Sequence, residues 1–172
     1  MAITGTPGVG KSSASGILRD GGHRVLDLNR IALERGFVLG RDVARDTAEI
    51  DAQELNAFVS SLEDDLIFLD GHMSHLLDVE VSIVLRCNPV KLRERLSSLG
   101  WREQKIAENV EAEAIDCILV ESLEMDRKTF EIDTTEKRPE DVARDILDII
   151  GGNATDFRAG SVDWSEVILS WY

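Results

Sequence analysis

Apolar positions along the chain follow two alternating rhythms: short β-compatible runs, and longer stretches in which apolar residues recur every three or four positions. That alternation predicts parallel strands joined by crossover helices, an α/β architecture. Residues 1–4 read as a clipped first strand, followed by a helix from Lys11 to about Arg19 that Gly21 and Gly22 close. A second strand covers residues 25–28, and Asn29 caps a helix to about Arg35 with Gly36 as its stop. Asp51, with Glu54 three positions on, resembles a capping box opening a helix to about Leu62. The charged stretch before it carries little pattern. Leu66 to Leu69 form a third strand ending in Asp70, and residues 79–85 a fourth ending beside Arg86. Asn88 and Pro89 start a helix through Leu96, because proline at the first helical position loses no needed donor. After a turn at Gly100, the stripe Ile106, Val110, Ala114, Cys117 and Glu121 predicts one long helix from about Arg102 to Leu123. Residues 130–132 make a fifth strand. Pro139 opens the last long helix, which turns Val142, Ile146 and Ile149 (or Ile150) inward and ends at Gly151 and Gly152. The tail, residues 153–172, holds Trp164, Trp171 and Tyr172, which suits docking on the body or on a partner.

A chain of 172 residues fits one compact domain, residues 1–172. No apolar run approaches the ~20 residues that span a bilayer, so no membrane association is expected. The phosphate-loop motif described below begins at residue 5, so removal of a leader would destroy the first strand; the expected location is the cytoplasm. Cys87 and Cys117 are too few and too isolated for a disulfide framework and read as small core residues. The formal charge of −14 describes a surface that repels nucleic-acid phosphates, so no direct nucleic-acid binding is expected. Arg outnumbers Lys 14 to 5, and the guanidinium fork grips phosphate in bidentate fashion. A minority of positive charge gathered in one cleft would hold a nucleotide inside an acidic body.

The motif that concentrates chemistry is Gly5-Thr6-Pro7-Gly8-Val9-Gly10-Lys11-Ser12, which matches G-x-x-x-x-G-K-[ST] at every position and lies between a strand and a helix. There the backbone N–H groups of Gly8, Val9 and Gly10 and the helix N-terminus turn toward an anion. The expected ligand is ATP with Mg²⁺. Lys11 bridges the β- and γ-phosphates, Ser12 ligates the metal and Ser13 reaches the α-phosphate. Asp70, at a strand end, is the second candidate for the metal shell, and His72 is placed to orient a water or a substrate phosphate. His23 and His75 read as ordinary. A GTPase would need an N-K-x-D-type element, and none occurs. A kinase instead needs a second binding segment and a cationic cover. Arg30, Arg35, Arg41 and Arg45 lie in the first region, Arg93, Arg95, Arg102 and Lys105 in the second, with Arg86 as a further clamp candidate at the end of strand four.

Several ordered segments resemble one family: GTPGVGKSS at 5–13, DLNRIALERG at 27–36, DGHMSHLL at 70–77, VLR at 84–86, RERLSSLGW at 93–101 and ENVEAE at 108–113. Together, over nearly the whole chain to about residue 150, they resemble the archaeal putative adenylate kinases and their eukaryotic relatives, adenylate kinase isoenzyme 6, also called coilin-interacting nuclear ATPase protein. The resemblance implies a P-loop nucleoside monophosphate kinase fold with a five-stranded parallel sheet of order 2-3-1-4-5. It implies an AMP-binding segment at about 27–50 with Arg30 and Arg35, and a short lid at about 98–108 without zinc. It also implies adenylate kinase and ATPase activity, and a part in small ribosomal subunit maturation through a ribosomal protein. The family's Walker-B-like aspartate and histidine fall on Asp70 and His72, and its adenine-contacting segment falls on 136–139 with Arg138 as the basic position. The chain departs from the family at Leu99, where many relatives place an Arg; Arg102 is the candidate substitute.

Overall fold

The computed structural model describes residues 1–42 and 47–172, with backbone alone at 41, 42, 47 and 48. Five strands form a parallel sheet in the order β2 (Val25–Asp27), β5 (Phe68–Asp70), β1 (Ala2–Thr4), β6 (Val81–Arg86), β7 (Lys128–Asp133). Counted among themselves these five strands run 2-3-1-4-5, the order expected from the resemblance. Phe68, Leu69, Ile3, Ile83, Val84 and Leu85 are buried, as parallel strands covered on both faces must be. Register brings Asp27 opposite Asp70 and Ile3 beside both Asp70 and Ile83, so the carboxyl ends of β1, β2 and β5 converge on one edge. Ligands of open α/β sheets bind at that edge.

Helices cover both faces: α1 (Lys11–Asp20), α2 (Leu28–Arg35), α3 (Ala52–Ser60), α4 (Pro89–Ser98), α5 (Glu103–Ala114), α6 (Cys117–Glu124) and α7 (Pro139–Ile150). The larger core packs Leu18 of α1, Leu92 and Leu96 of α4, Ile106 and Val110 of α5 and Val142, Ile146 and Ile149 of α7 against β1, β6 and β7. A smaller one joins Leu28, Ile31, Leu55, Leu69 and Leu77 beneath α2 and α3. Caps fall where polar side chains meet orphan amides. Asp51 accepts from the N–H groups of Gln53 and Glu54, and Asn88 from Val90. No described helix is long and apolar enough to cross a membrane.

Three expectations need correction. The helix after β2 begins at Leu28, and its cap is Asp27, which accepts from the Arg30 N–H at 3.0 Å; Asn29 lies inside the first turn. The long helix of residues 102–123 is two helices. Asp116 takes a left-handed backbone, φ 59°, and the second piece buries Leu119 and Ser122 instead of continuing the Cys117–Glu121 stripe. The unpatterned stretch contains an antiparallel pair, β3 (Val38–Asp42) with β4 (Thr47–Ile50). Arg45 lies outside the described residues, as does the Arg41 side chain.

The tail docks along β7. Phe130 bridges to Arg158, a 3₁₀ turn forms at Thr155–Phe157, Trp164 is buried, and a short α8 (Ser165–Leu169) follows.

Candidate active site

The chain leaves β1 at Thr4 and turns into the phosphate loop. Gly5 has φ 133°, and a Cβ on it would sit 2.3 Å from the Leu85 carbonyl oxygen of the neighbouring strand. Gly8, at φ 93°, lies so close to α4 that its Cβ would meet Leu96 at 2.7 Å and Leu92 at 2.9 Å. Only glycine satisfies both backbone and space at these positions. Val9 plugs the loop into the core with its side chain fully buried, while its carbonyl accepts the Thr134 hydroxyl at 2.7 Å. Arg95 reinforces that anchor by donating to the carbonyls of Thr134 and Thr135 at 2.8 and 2.9 Å. The loop thus rests on α4 and on the turn after β7, and its amides and the α1 N-terminus form a ready anion cradle.

Lys11 lies across this cradle, donating from Nζ to the carbonyls of Gly5 at 2.6 Å and Thr6 at 3.0 Å. Desolvation lowers its pKa to about 8, against the opposing pull of Asp70 and Glu113. Asp70 is buried, and desolvation raises its pKa while Lys11 pulls it back and the neighbouring Asp27 adds to the rise. Burial also lowers the His72 pKa, with Lys11 and then His75 adding to the effect, so His72 is a neutral imidazole near pH 7. A cleft of about 1110 Å³ opens above these groups. Its walls include Gly8, Gly10, Lys11, Ser12 and Ser13 of the loop, Asp27 at the cap of α2 with Arg30 and Leu33 along it, Asp70 and His72, and Leu99, Trp101 and Lys105 around α5.

The sequence-predicted residues therefore divide. Gly8, Gly10, Lys11, Ser12, Ser13, Asp70, His72 and Arg30 meet in one cleft, with Val9 directly beneath. Arg35 does not join them, since its guanidinium stacks on Phe58, 4.0 Å from the ring centroid. Arg102 and Arg138 sit at the exposed N-caps of α5 and α7 and do not line the cleft; Arg138 binds Asp141 at 3.0 Å. Within residues 98–108 the cleft-lining cation is Lys105, whose ammonium lies 4.5 Å from the Trp101 ring centroid. Arg93 is paired with Glu103.

Arg86 is the clearest departure from expectation. It is 2 % exposed and its guanidinium points into the protein, where Nε donates to Glu113 at 2.7 Å, Nη1 to Glu131, and Nη2 to Asp116 and to the Glu113 carbonyl. Burial opposes its charge but the carboxylates outweigh it, so its pKa is raised. Its donors are taken up by these carboxylates and a carbonyl, and it is not among the residues that line the cleft.

Thr6, Glu113 and His75 lie in segments singled out in the sequence, GTPGVGKSS, ENVEAE and DGHMSHLL, but none was given a role there. His75, read as ordinary, is buried, with Nε2 at 2.9 Å from Glu121 and Nδ1 at 2.9 Å from the Thr4 hydroxyl. Burial lowers its pKa against the opposing pull of Glu121, and the Thr4 hydroxyl beside Nδ1 also reaches the His72 carbonyl at 3.1 Å. Its place in the DGHMSHLL segment gave no hint of those partners, because Glu121 lies on α6.

Residues 1–116 match the family model described as AAA domain. A protein of Pyrococcus abyssi named "Putative adenylate kinase" is 43 % identical over 169 residues, covering 97 % of this chain and 92 % of its own length. The chain belongs to that adenylate kinase family. A second member of the family, from Methanococcus maripaludis and bearing the same name, is 38 % identical over 174 residues, 96 % of this chain and 95 % of its own. Among solved structures, a shikimate kinase from Acinetobacter baumannii in complex with shikimate aligns with a TM-score of 0.62 over 90 % of this chain and 93 % of its own. At 15 % identity it shows that the family shares the P-loop kinase fold.

Proposed function

We propose that the chain is a nucleoside monophosphate kinase that transfers the γ-phosphate of ATP to AMP, giving two ADP, and that it also hydrolyses ATP. The observation that carries this reading is a single cleft running from the phosphate loop to Asp27, the cap of α2, and to Arg30 and Leu33 along that helix. Its volume of about 1110 Å³ lies at the upper end of ligand sites, and its lining joins the anion cradle to a second cation at Arg30, as transfer between two phosphate-bearing substrates requires. The names of the archaeal relatives support the same assignment.

The cradle amides and Lys11 hold the β- and γ-phosphates, and the ammonium exchanges its two loop carbonyls for phosphate oxygens. Arg30 faces the acceptor end, where it binds the monophosphate, and Lys105 approaches from the lid side. Asp70 and Ser12 suit Mg²⁺: both are hard oxygen donors, and the Asp70 carboxylate is stripped of water yet offset mainly by Lys11. When bound, the metal neutralises charge on the transferring phosphoryl group. His72, neutral and at the cleft wall, accepts a proton from water or from a hydroxyl.

The second reading is an ATPase that assists small ribosomal subunit assembly, acting on a basic ribosomal protein. The net charge of −14 and His72 beside Asp70 favour it. ADP formation from ATP and Mg²⁺, measured with and without AMP, separates the two: a rise with AMP is expected, and no rise removes the kinase reading. His72→Ala should lower hydrolysis more than AMP phosphorylation, and equal losses would deny His72 a separate role.

A further inference from the structure

Glu113 closes α5, the helix whose earlier turns carry the lid-side cleft residues, and it is 2 % exposed. One of its oxygens, Oε2, accepts the hydroxyl of Thr6 in the phosphate loop at 2.7 Å. The other, Oε1, accepts Arg86 Nε at 2.7 Å, the Cys87 N–H at 3.1 Å and the Trp164 indole N–H at 3.4 Å. Glu131, 1 % exposed, lies across the same guanidinium. Its Oε2 accepts the backbone N–H groups of Gly160, Ser161 and Val162 at 2.9, 2.9 and 3.2 Å.

Two buried carboxylates thus share one guanidinium, and the surplus negative charge is met by neutral donors. Three backbone N–H groups and the indole among them come from the tail. Without those four donors Glu131 and Glu113 would both draw harder on Arg86, and the hold of Glu113 on Thr6 would change. Thr6 in turn offers its carbonyl to Lys11 at 3.0 Å and to the Val9 N–H at 3.3 Å, so its placement bears on the anion cradle.

We infer that Glu113 is a positioning residue for the phosphate loop, and that the tail acts through it: Trp164 and residues 160–162 fix the network that holds Thr6. The inference rests on the proposed reading of the loop as the ATP site. Nothing in it requires the tail to touch a nucleotide.

The test is Trp164→Phe in the full chain, which keeps an aromatic ring and removes the N–H, beside Trp171→Phe, which alters a tail aromatic outside the network. Two quantities are read: hydrogen exchange of the amides of residues 8–11 without nucleotide, and Kd for ATP with Mg²⁺. Coupling between linked sites is commonly about 5- to 150-fold. For Trp164→Phe the loop amides should exchange about tenfold faster and ATP should bind about tenfold more weakly, while Trp171→Phe should match the parent in both. Because coupling is reciprocal, Thr6→Val should quicken exchange at residues 160–162, which keeps the idea testable should Trp164→Phe fail to fold. Unchanged loop exchange in a folded Trp164→Phe protein, equal effects from both tryptophan variants, or unmoved tail amides in Thr6→Val would each overturn the inference. Absence of ATP binding by the parent chain would sink the reading of the loop instead, and the exchange measurements would still decide the positioning.

Discussion

Lys11, half-buried in the cleft wall, and Arg86, fully buried, are cations within reach of the same few strands, and their surroundings are opposite. Lys11 rests on two backbone carbonyls, touches no carboxylate within hydrogen-bond distance among the described residues, and burial brings its pKa down to about 8. Arg86 is wrapped by Glu113, Glu131 and Asp116, so its charge is more than matched. The first cation is short of negative charge and so stands ready for a phosphate. The second has more than it needs, and serves to hold β6, β7, α5 and the tail together. Cation counting along the chain treats the two alike; what separates them is the number of carboxylates each already faces.

That contrast makes crossed predictions. The largest expected effect is on stability: Arg86→Ala leaves Glu113 and Glu131 buried without their cation, a loss of about 3–5 kcal/mol. In a chain of this length that lowers Tm by roughly 10 °C, read by calorimetry or circular dichroism. Lys11→Ala should do the reverse. It should cut ATP-dependent phosphoryl transfer by about 10² to 10³, the usual loss of one well-placed electrostatic group, while thermal stability stays at or above the parent's because a desolvated ammonium is removed. If Arg86→Ala kept its Tm while Lys11→Ala lost its own, the assignment of scaffold and site would have to be exchanged.

The same contrast shows what the linear sequence carries. Residues 5–12 were legible because a phosphate cradle demands glycine at fixed offsets and one ammonium, and the strand before it and helix after it have clear apolar periods. Asp70 was legible as the polar end of an apolar run. The arginines were not, because charge alone does not say where a side chain points. Arg30 reaches the cleft and Arg35 covers Phe58, since five residues along a helix turn the direction by about 140°. Glu113 was illegible for another reason. Its partners are 107, 27 and 51 positions away, at Thr6, Arg86 and Trp164, and no local pattern encodes such a meeting. The break at Asp116 has neither Gly nor Pro to announce it. A left-handed Asp there lets α6 rotate Leu119 and Ser122 inward and gives Arg86 its third carboxylate.

The comparison sharpens further with pH, through the smaller of the expected effects. Without nucleotide, Lys11 loses its proton around pH 8, because burial disfavours the charge more than Asp70 and Glu113 favour it. A bound triphosphate stabilises the ammonium and raises that pKa, so above pH 8 binding must be accompanied by proton uptake, and affinity falls as pH rises. By linkage the slope approaches a tenfold rise in Kd per pH unit, about 1.4 kcal/mol, between pH 8 and the pKa of the complex. Calorimetric titration of ATP with Mg²⁺ from pH 7.5 to 9.5, in two buffers of different ionisation enthalpy, measures both slope and protons. Arg86, whose pKa moves upward, contributes nothing in that range. A flat Kd across the window would mean that the ammonium keeps its charge in the empty loop, and the distinction drawn between the two cations would then rest on geometry alone.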